Sequence, residues 1–266
     1  MKQLNLYYLG GGGGGSVPDG RTVTPIADAQ LWIKCAGRDE NYTTLSEILA
    51  DSVCLNYLMA SDNAVDYLVR STLWVSDVTS NSSAMTYIGT YDYCAETLLA
   101  DSTWLSGILA SSYVTSVLTT VVPKMTSNTA PEGVAAANSI ASTSLDAWKA
   151  FNSSESYGWL PASSGTSNVY VNYTFEYDVV VYYAIVTRLA GGSAATSTCK
   201  FRSFNSSDSK VNQTSNFNMS TGSTNVKKVF SVPDVYRSYE LLVVSDSKPD
   251  GGTGYKIQFY GRRKAS

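Results

Sequence analysis

Apolar residues along this chain follow two rhythms, and the change between them falls near Pro123. From Ser46 to Thr120 they recur at helical spacing in short runs, as where Leu55, Leu58 and Met59 share one face. A Ser or Asp precedes such a run and another Ser follows some ten residues later: Ser52 to Ser61, Ser61 to Ser71, Ser102 to Ser111. Side-chain oxygens at those points accept bonds from the unpaired N–H groups that open a helix. The pattern predicts a series of helices of about two to three turns each.

The series also repeats at a longer step. Leu49-Ala50-Asp51-Ser52 returns fifty residues later as Leu99-Ala100-Asp101-Ser102, and Leu55, Ala60-Ser61 and Leu68 return as Leu105, Ala110-Ser111 and Leu118. Duplicated supersecondary units explain this most economically. Helices so short are marginal alone in water, so they must pack on one another or on a partner chain. Trp32, Trp74, Trp104, Tyr57 and Tyr67 are assigned to that packing.

Two prolines and a polar run between Val121 and Pro131 mark a boundary. Beyond it the period becomes two. Val169, Val171, Tyr173 and Phe175 take one face of a strand; Cys199 and Phe201 alternate with Lys200 and Arg202; Tyr255, Ile257 and Phe259 alternate with Lys256 and Gln258. Apolar runs over 179–186, 226–230 and 239–244 lie between clusters of Gly, Ser, Asn and Pro, which indicates a β-sandwich or jelly roll. The expected fold class is thus multidomain, α plus all-β. Three parts are expected: a glycine-rich anchor or tether over 1–21, a short-helix repeat module over 22–123, and a sandwich over 124–266.

Composition narrows the function classes. Charged residues make up 15% of the 266 residues and the net charge is −3; the only cationic run, Arg262-Arg263-Lys264, reads as a solvated tail, so no nucleic-acid surface is expected. No apolar stretch reaches the roughly 18 residues of a membrane span, and Leu4 to Leu9 is too short for a signal-peptide core. Neither membrane insertion nor classical secretion is expected. Gly10 to Gly15 satisfy a dinucleotide-type glycine pattern, but Val17-Pro18-Asp19-Gly20 opens a turn where that motif needs a helix. The glycines read as a tether, or as a place where partner backbones approach closely.

Cys35, Cys54, Cys94 and Cys199 stand 19, 40 and 105 residues apart, which fits no zinc site or dithiol motif, so they read as buried reduced thiols. The chain has no His, which removes the usual general base and the Ser-His and Cys-His nucleophile pairs. A carboxylate pair remains arithmetically open, with 22 Asp and Glu residues present. Most of them occupy cap or turn positions, and the protein is read as not an enzyme.

The run Ala147-Trp148-Lys149-Ala150-Phe151-Asn152, then Trp159, then Val169 to Phe175, and finally Ile257-Gln258-Phe259-Tyr260-Gly261, resembles the discoidin or coagulation-factor C-type domain. The resemblance covers about half the chain and implies an eight-stranded, galactose-binding-like jelly roll whose end loops bind sugars, lipids or proteins. Where many members have Asp-Gly in a loop that holds calcium, this chain has Asn152-Ser153. That departure counts against a structural calcium, and no cofactor is expected. Units such as Ser61 to Ser71 look like the helical segments of bacteriophage tail, baseplate and fibre proteins, which often pair glycine-rich N-termini with sugar-binding-like ends.

Together these resemblances imply a virion appendage of tail- or head-fibre type that carries a carbohydrate-binding-like domain. A purely architectural decoration protein and a bacterial surface adhesin are the alternatives. The expected partners are further copies of the chain, with a trimer as first choice, other virion proteins through the N-terminal part, and a host-surface glycan. Candidate ligand residues are Tyr157, Trp159, Arg202 and Asn205, near expected loops, where a ring can stack on a sugar while amide and guanidinium groups read hydroxyls. For Trp159 a core position is the stronger expectation, and Trp148 is assigned to the core.

Overall fold

The computed structural model describes residues 45–263 other than 71, 155, 163–166, 190–195, 221, 231–232 and 248–253. The glycine-rich segment over 1–21, Trp32 and Cys35 lie outside the described residues, as do the side chains of Tyr57 and Tyr67. The chain forms two compact units that divide between Leu118 and Thr119.

The first unit consists of short helices: α1 (Leu45–Ala50), α2 (Ser52–Ala60), α3 (Asp62–Leu68), α4 (Val75–Thr79, preceded by a 3-10 turn over Thr72–Trp74), α5 (Ser82–Thr90), α6 (Asp92–Ala100), α7 (Ser102–Ala110) and α8 (Val114–Val117). Ser61, Asn81, Tyr91 and Asp101 have extended backbones and each begins a helix; Tyr91 and Asp101 also end the one before. The Asp51 carboxylate accepts from the N–H groups of Val53 at 2.8 Å and Cys54 at 3.1 Å. Fifty residues on, Asp101 accepts from Thr103 at 2.9 Å and Trp104 at 3.0 Å. The cap is therefore the Asp of each Asp-Ser pair, whereas the Ser61 side chain caps nothing.

The spacing beneath the fifty-residue repeat is ten. Cys54, Ala64, Trp74, Ala84, Cys94, Trp104 and Val114 are all buried, and so are Leu58, Leu68, Val78, Ile88, Leu98, Ile108 and Leu118. Helices also pack on the third helix along: α1 on α4, α2 on α5, α3 on α6, α4 on α7 and α5 on α8. Three helices thus complete one turn of a coil. Hydrogen bonds tie successive turns, from Tyr91 Oη to Asn56 Oδ1 and from Tyr93 Oη to Asp66 Oδ1, both at 2.6 Å. The apolar faces of the helices are covered by neighbouring turns of the same chain, so within the described residues these helices need no second chain to bury them.

The second unit is a sandwich of two antiparallel sheets. One has the order β1 (Thr119–Thr120), β10 (Tyr255–Arg263), β4 (Val179–Arg188), β8 (Val226–Val229). The other has the order β2 (Val134–Ala137), β3 (Ser167–Thr174), β9 (Ser238–Asp246), β5 (Thr196–Phe204), β6 (Lys210–Gln213), with β7 (Phe217–Ser220) also on β5. The alternating residues face inward as their period predicts: Val171, Tyr173, Phe175, Cys199, Phe201, Tyr255, Ile257 and Phe259 join one core cluster. Rings pack across the two sheets, Phe201 on Phe259 at 5.8 Å and Tyr239 on Phe259 at 5.5 Å between centroids. Trp148 is only partly buried and packs on this core from outside, with the Lys149 ammonium 4.1 Å from its ring centroid.

The boundary expected at Pro123 lies inside the second unit. Thr119 and Thr120 already pair with Gly261 and Tyr260, and Val121 N–H donates to Phe259 O at 2.9 Å. Val121 and Met125 belong to the sandwich core. The prolines mark the end of strand pairing, not the end of a domain, because Pro123 has no N–H to donate.

Candidate functional site

The four residues singled out from the sequence do not form one site. Trp159 is fully buried, donates from Nε1 to Ser139 O at 2.8 Å and packs on the Tyr255 ring at 5.8 Å. It is a core residue, as its stronger expectation had it. Tyr157, two residues earlier, is 54% exposed. Arg202 lies within β5 and pairs through Nε with Glu240 Oε1 at 2.6 Å. The Asn205 side chain accepts from the N–H groups of Ser207 and Ser209, both at 3.0 Å, and shapes the turn from β5 to β6. Trp159 bridges Tyr255, beside the Ser197 end of β5, whereas Asn205 follows Phe204 at the other end. Seven strand residues, about 23 Å, separate those ends.

A different set of residues converges on the outer face of the four-stranded sheet. Lys256 lies opposite Thr187, and Gln258 opposite Ile185, so four outward side chains of β10 and β4 tile a floor. Thr120, Val122 and Lys124 wall it on one side, Phe151 and Ser153 on another, and Asn225 closes it beside β8. The pocket measures about 280 Å³.

Local structure explains each wall. Val121 and Met125 are held in the core, which leaves Val122 and Lys124 to line the pocket. The buried Asn152 donates from Nδ2 to Met125 O at 2.8 Å and accepts from Ser154 N–H at 3.0 Å, which clamps the 150–154 turn onto this segment. Lys256 Nζ reaches Ser153 O at 3.3 Å. Asn225 has φ of 53° and donates from its backbone to Thr187 Oγ1 at 3.2 Å.

The floor is held from beneath. Arg188 and Tyr255, the neighbours of Thr187 and Lys256, point between the sheets into a buried polar network. Arg188 donates to both Asp246 oxygens at 3.0 Å and to Ser197 Oγ at 2.9 Å, while Tyr255 Oη bonds Ser197 Oγ at 2.8 Å and Asp246 Oδ2 at 3.0 Å. Burial pushes the nearby Cys199 thiol up to about 11, which keeps it protonated and inert near neutral pH. Cys54 and Cys94 are likewise buried.

Chemically, the pocket offers hydroxyl, amide and ammonium groups beside the apolar surfaces of Val122 and Ile185, and none of the described lining residues is a carboxylate. Such a lining suits polar groups, and its described residues supply no carboxylate acid–base pair. Among the described residues no group of three or more His, Cys, Asp and Glu side chains is placed to hold a metal ion. Nothing in the sequence marked this pocket, because its lining comes from five separate segments.

No family model matches the sequence, and no curated protein matches it. Similar solved structures include chitosan-binding module 1 of a chitosanase/glucanase from Paenibacillus sp. IK-5, at 20% identity and a TM-score of 0.39, covering 51% of this chain and 99% of that chain. The family 32 carbohydrate-binding module of C. perfringens NanJ, in complex with galactose, is 11% identical, with a TM-score of 0.39 over 48% of this chain and 93% of that chain. Discoidin II of Dictyostelium discoideum is 13% identical, with a TM-score of 0.37 over 48% of this chain and 54% of that chain. At such identity no ligand carries over to this chain.

Proposed function

We propose that this is a non-catalytic binding protein whose sandwich takes a glycan in the pocket on its outer sheet face. The observation that carries this reading is the pocket's lining: amides and hydroxyls fixed by backbone register, apolar patches at its side, and no carboxylate acid–base pair among the described residues. Orienting polar groups around partly apolar walls are what a sugar ring requires. The absence of His from the whole chain supports the same reading. The test is a glycan array probed with the full chain and with residues 119–266, which keep β1 paired to β10. Binding by both supports the proposal, and no glycan retained by either overturns it.

The setting we propose is a virion appendage of fibre type, in which several copies present their sandwiches together. The ten-residue helical coil supports it as a serial, extensible element of the kind that spacers use. Association would strengthen weak sugar contacts through effective concentration alone. Mass spectrometry of purified particles and light scattering on the full chain test the setting. Absence from particles defeats the virion role, and a monomer at micromolar concentration defeats self-association.

A further inference from the structure

We propose that Asn225 orients the sugar in this pocket, holding two neighbouring hydroxyls of one ring with the two ends of its side-chain amide. This rests on the glycan-binding reading and names the residue and the chemical group it reads. Among the described residues, Asn168, Asp208 and Asn225 take a left-handed backbone without being glycine, with φ of 55, 55 and 53°. Only Asn225 of these three lines the pocket. Asparagine tolerates that conformation better than most residues, yet glycine meets it without strain. What asparagine adds is the amide.

The loop that carries it is pinned. Ser220 N–H donates to Ser223 Oγ and Ser223 N–H to Ser220 O, both at 2.9 Å. Arg188 N–H then donates to Ser223 O at 2.8 Å, and Asn225 N–H to Thr187 Oγ1 at 3.2 Å. The loop thus hangs on two residues of β4, and the Arg188 side chain is itself locked to Asp246 between the sheets. A contact group held so firmly gives up little freedom when a ligand arrives. Gln258, the other amide of the lining, meets Tyr260 Oη at 3.3 Å. The exposed Asn225 amide has no such hydrogen bond among the described residues. Whichever way it is turned, it presents a donor at one end and an acceptor at the other. Adjacent ring hydroxyls, each able to give and to take a proton, complement that pair, and a volume of about 280 Å³ lies at the small end of ligand pockets, which suits a single ring.

The experiment titrates the full chain, N225G and N225D with the methyl glycosides of galactose, glucose and mannose, and with derivatives in which hydrogen replaces one ring hydroxyl at a time. N225G is expected to melt as the unmodified chain does, yet to bind the preferred glycoside about tenfold more weakly or worse. Removing either of two adjacent hydroxyls should cost the unmodified chain a similar factor and cost N225G almost nothing, because both changes delete the same contact. Undiminished binding by N225G makes Asn225 a turn residue alone; it overturns the inference and leaves glycan binding standing. A hydroxyl preference that N225G keeps unchanged does the same, since the contact then lies elsewhere. Array glycans retained without binding of any simple glycoside overturn the single-ring assignment. No retention of any glycan by the folded chain removes both readings. Should N225G melt lower, N225D decides between the same outcomes, because it keeps the side-chain shape and tolerates the same backbone but donates nothing.

Discussion

Arg188 Nη2 lies 3.0 Å from both carboxylate oxygens of Asp246, with each side chain 2% exposed, so one ion pair joins β4 of one sheet to β9 of the other in the buried interior. Removing one member strands the other. Asp246→Ala is expected to destabilise the sandwich by about 3–5 kcal/mol, read as a lower urea midpoint. Arg188→Met with Asp246→Leu is expected to cost less than Asp246→Ala alone, because no buried charge remains unmatched.

Stability is expected to fall in alkali. Burial raises Cys199 from 9.0 to about 11 and Tyr177 from 10.0 to about 12, and it holds Tyr239 and Tyr255 well above the usual phenol range. Each of these groups keeps its proton more tightly when folded than when unfolded. Their contribution is therefore complete below about pH 9 and is lost as pH rises through the folded values. Urea midpoints at pH 8, 10 and 11 should decline in that order, and a flat or rising series contradicts the assignment.

Helix caps in the first unit separate two residue types that the sequence offers side by side. Asp101→Ala is expected to cost about 0.5–2 kcal/mol, since Asp101 accepts two N–H bonds. Ser102→Ala, at an exposed position that caps nothing, should shift the midpoint by less than about 0.5 kcal/mol. Thermal denaturation followed at a helix wavelength checks both.

The two rhythms of apolar residues made both architectures legible, for a physical reason. A residue that must face a core recurs at the period of its own element, so Val169 to Phe175 announced a strand and Leu55 to Met59 a helix. The fifty-residue repeat was visible, but it is five steps of a ten-residue spacing whose members differ in kind: Cys54, Ala64 and Trp74 occupy equivalent places. Ligand residues had no such period. Arg202 stood near an expected loop, yet its partner Glu240 is 38 residues away, and Asn205 serves its own turn. Lys124, Asn225 and Lys256 meet only through strand register, which no local pattern encodes.

Limited proteolysis should spare the segment that the prolines make conspicuous. Thr126 N–H donates to Ala130 O at 2.9 Å, Met125 N–H to Phe151 O at 3.4 Å, and Met125 is fully buried. Trypsin is therefore expected to leave the bond after Lys124 intact while the protein is folded. Mass spectrometry of early fragments decides the point, and rapid cleavage there contradicts the placement of the unit boundary.

Gly89 marks how closely turns of the helical coil approach, because a Cβ there would collide with the Ser116 carbonyl. Gly89→Ala is expected to destabilise the first unit by about 1–3 kcal/mol, seen as a lower melting temperature.

A coil of three helices per turn, each repeating after ten residues, also works as a ruler. Thirty inserted residues would add one storey, about 8–10 Å at ordinary helix spacing, and return the chain to the same direction. Ten inserted residues would lengthen it by a third of that and swing its exit by a third of a turn. Length and heading are thus set by whole numbers of short helices, and evolution can change reach by steps without redesigning either end.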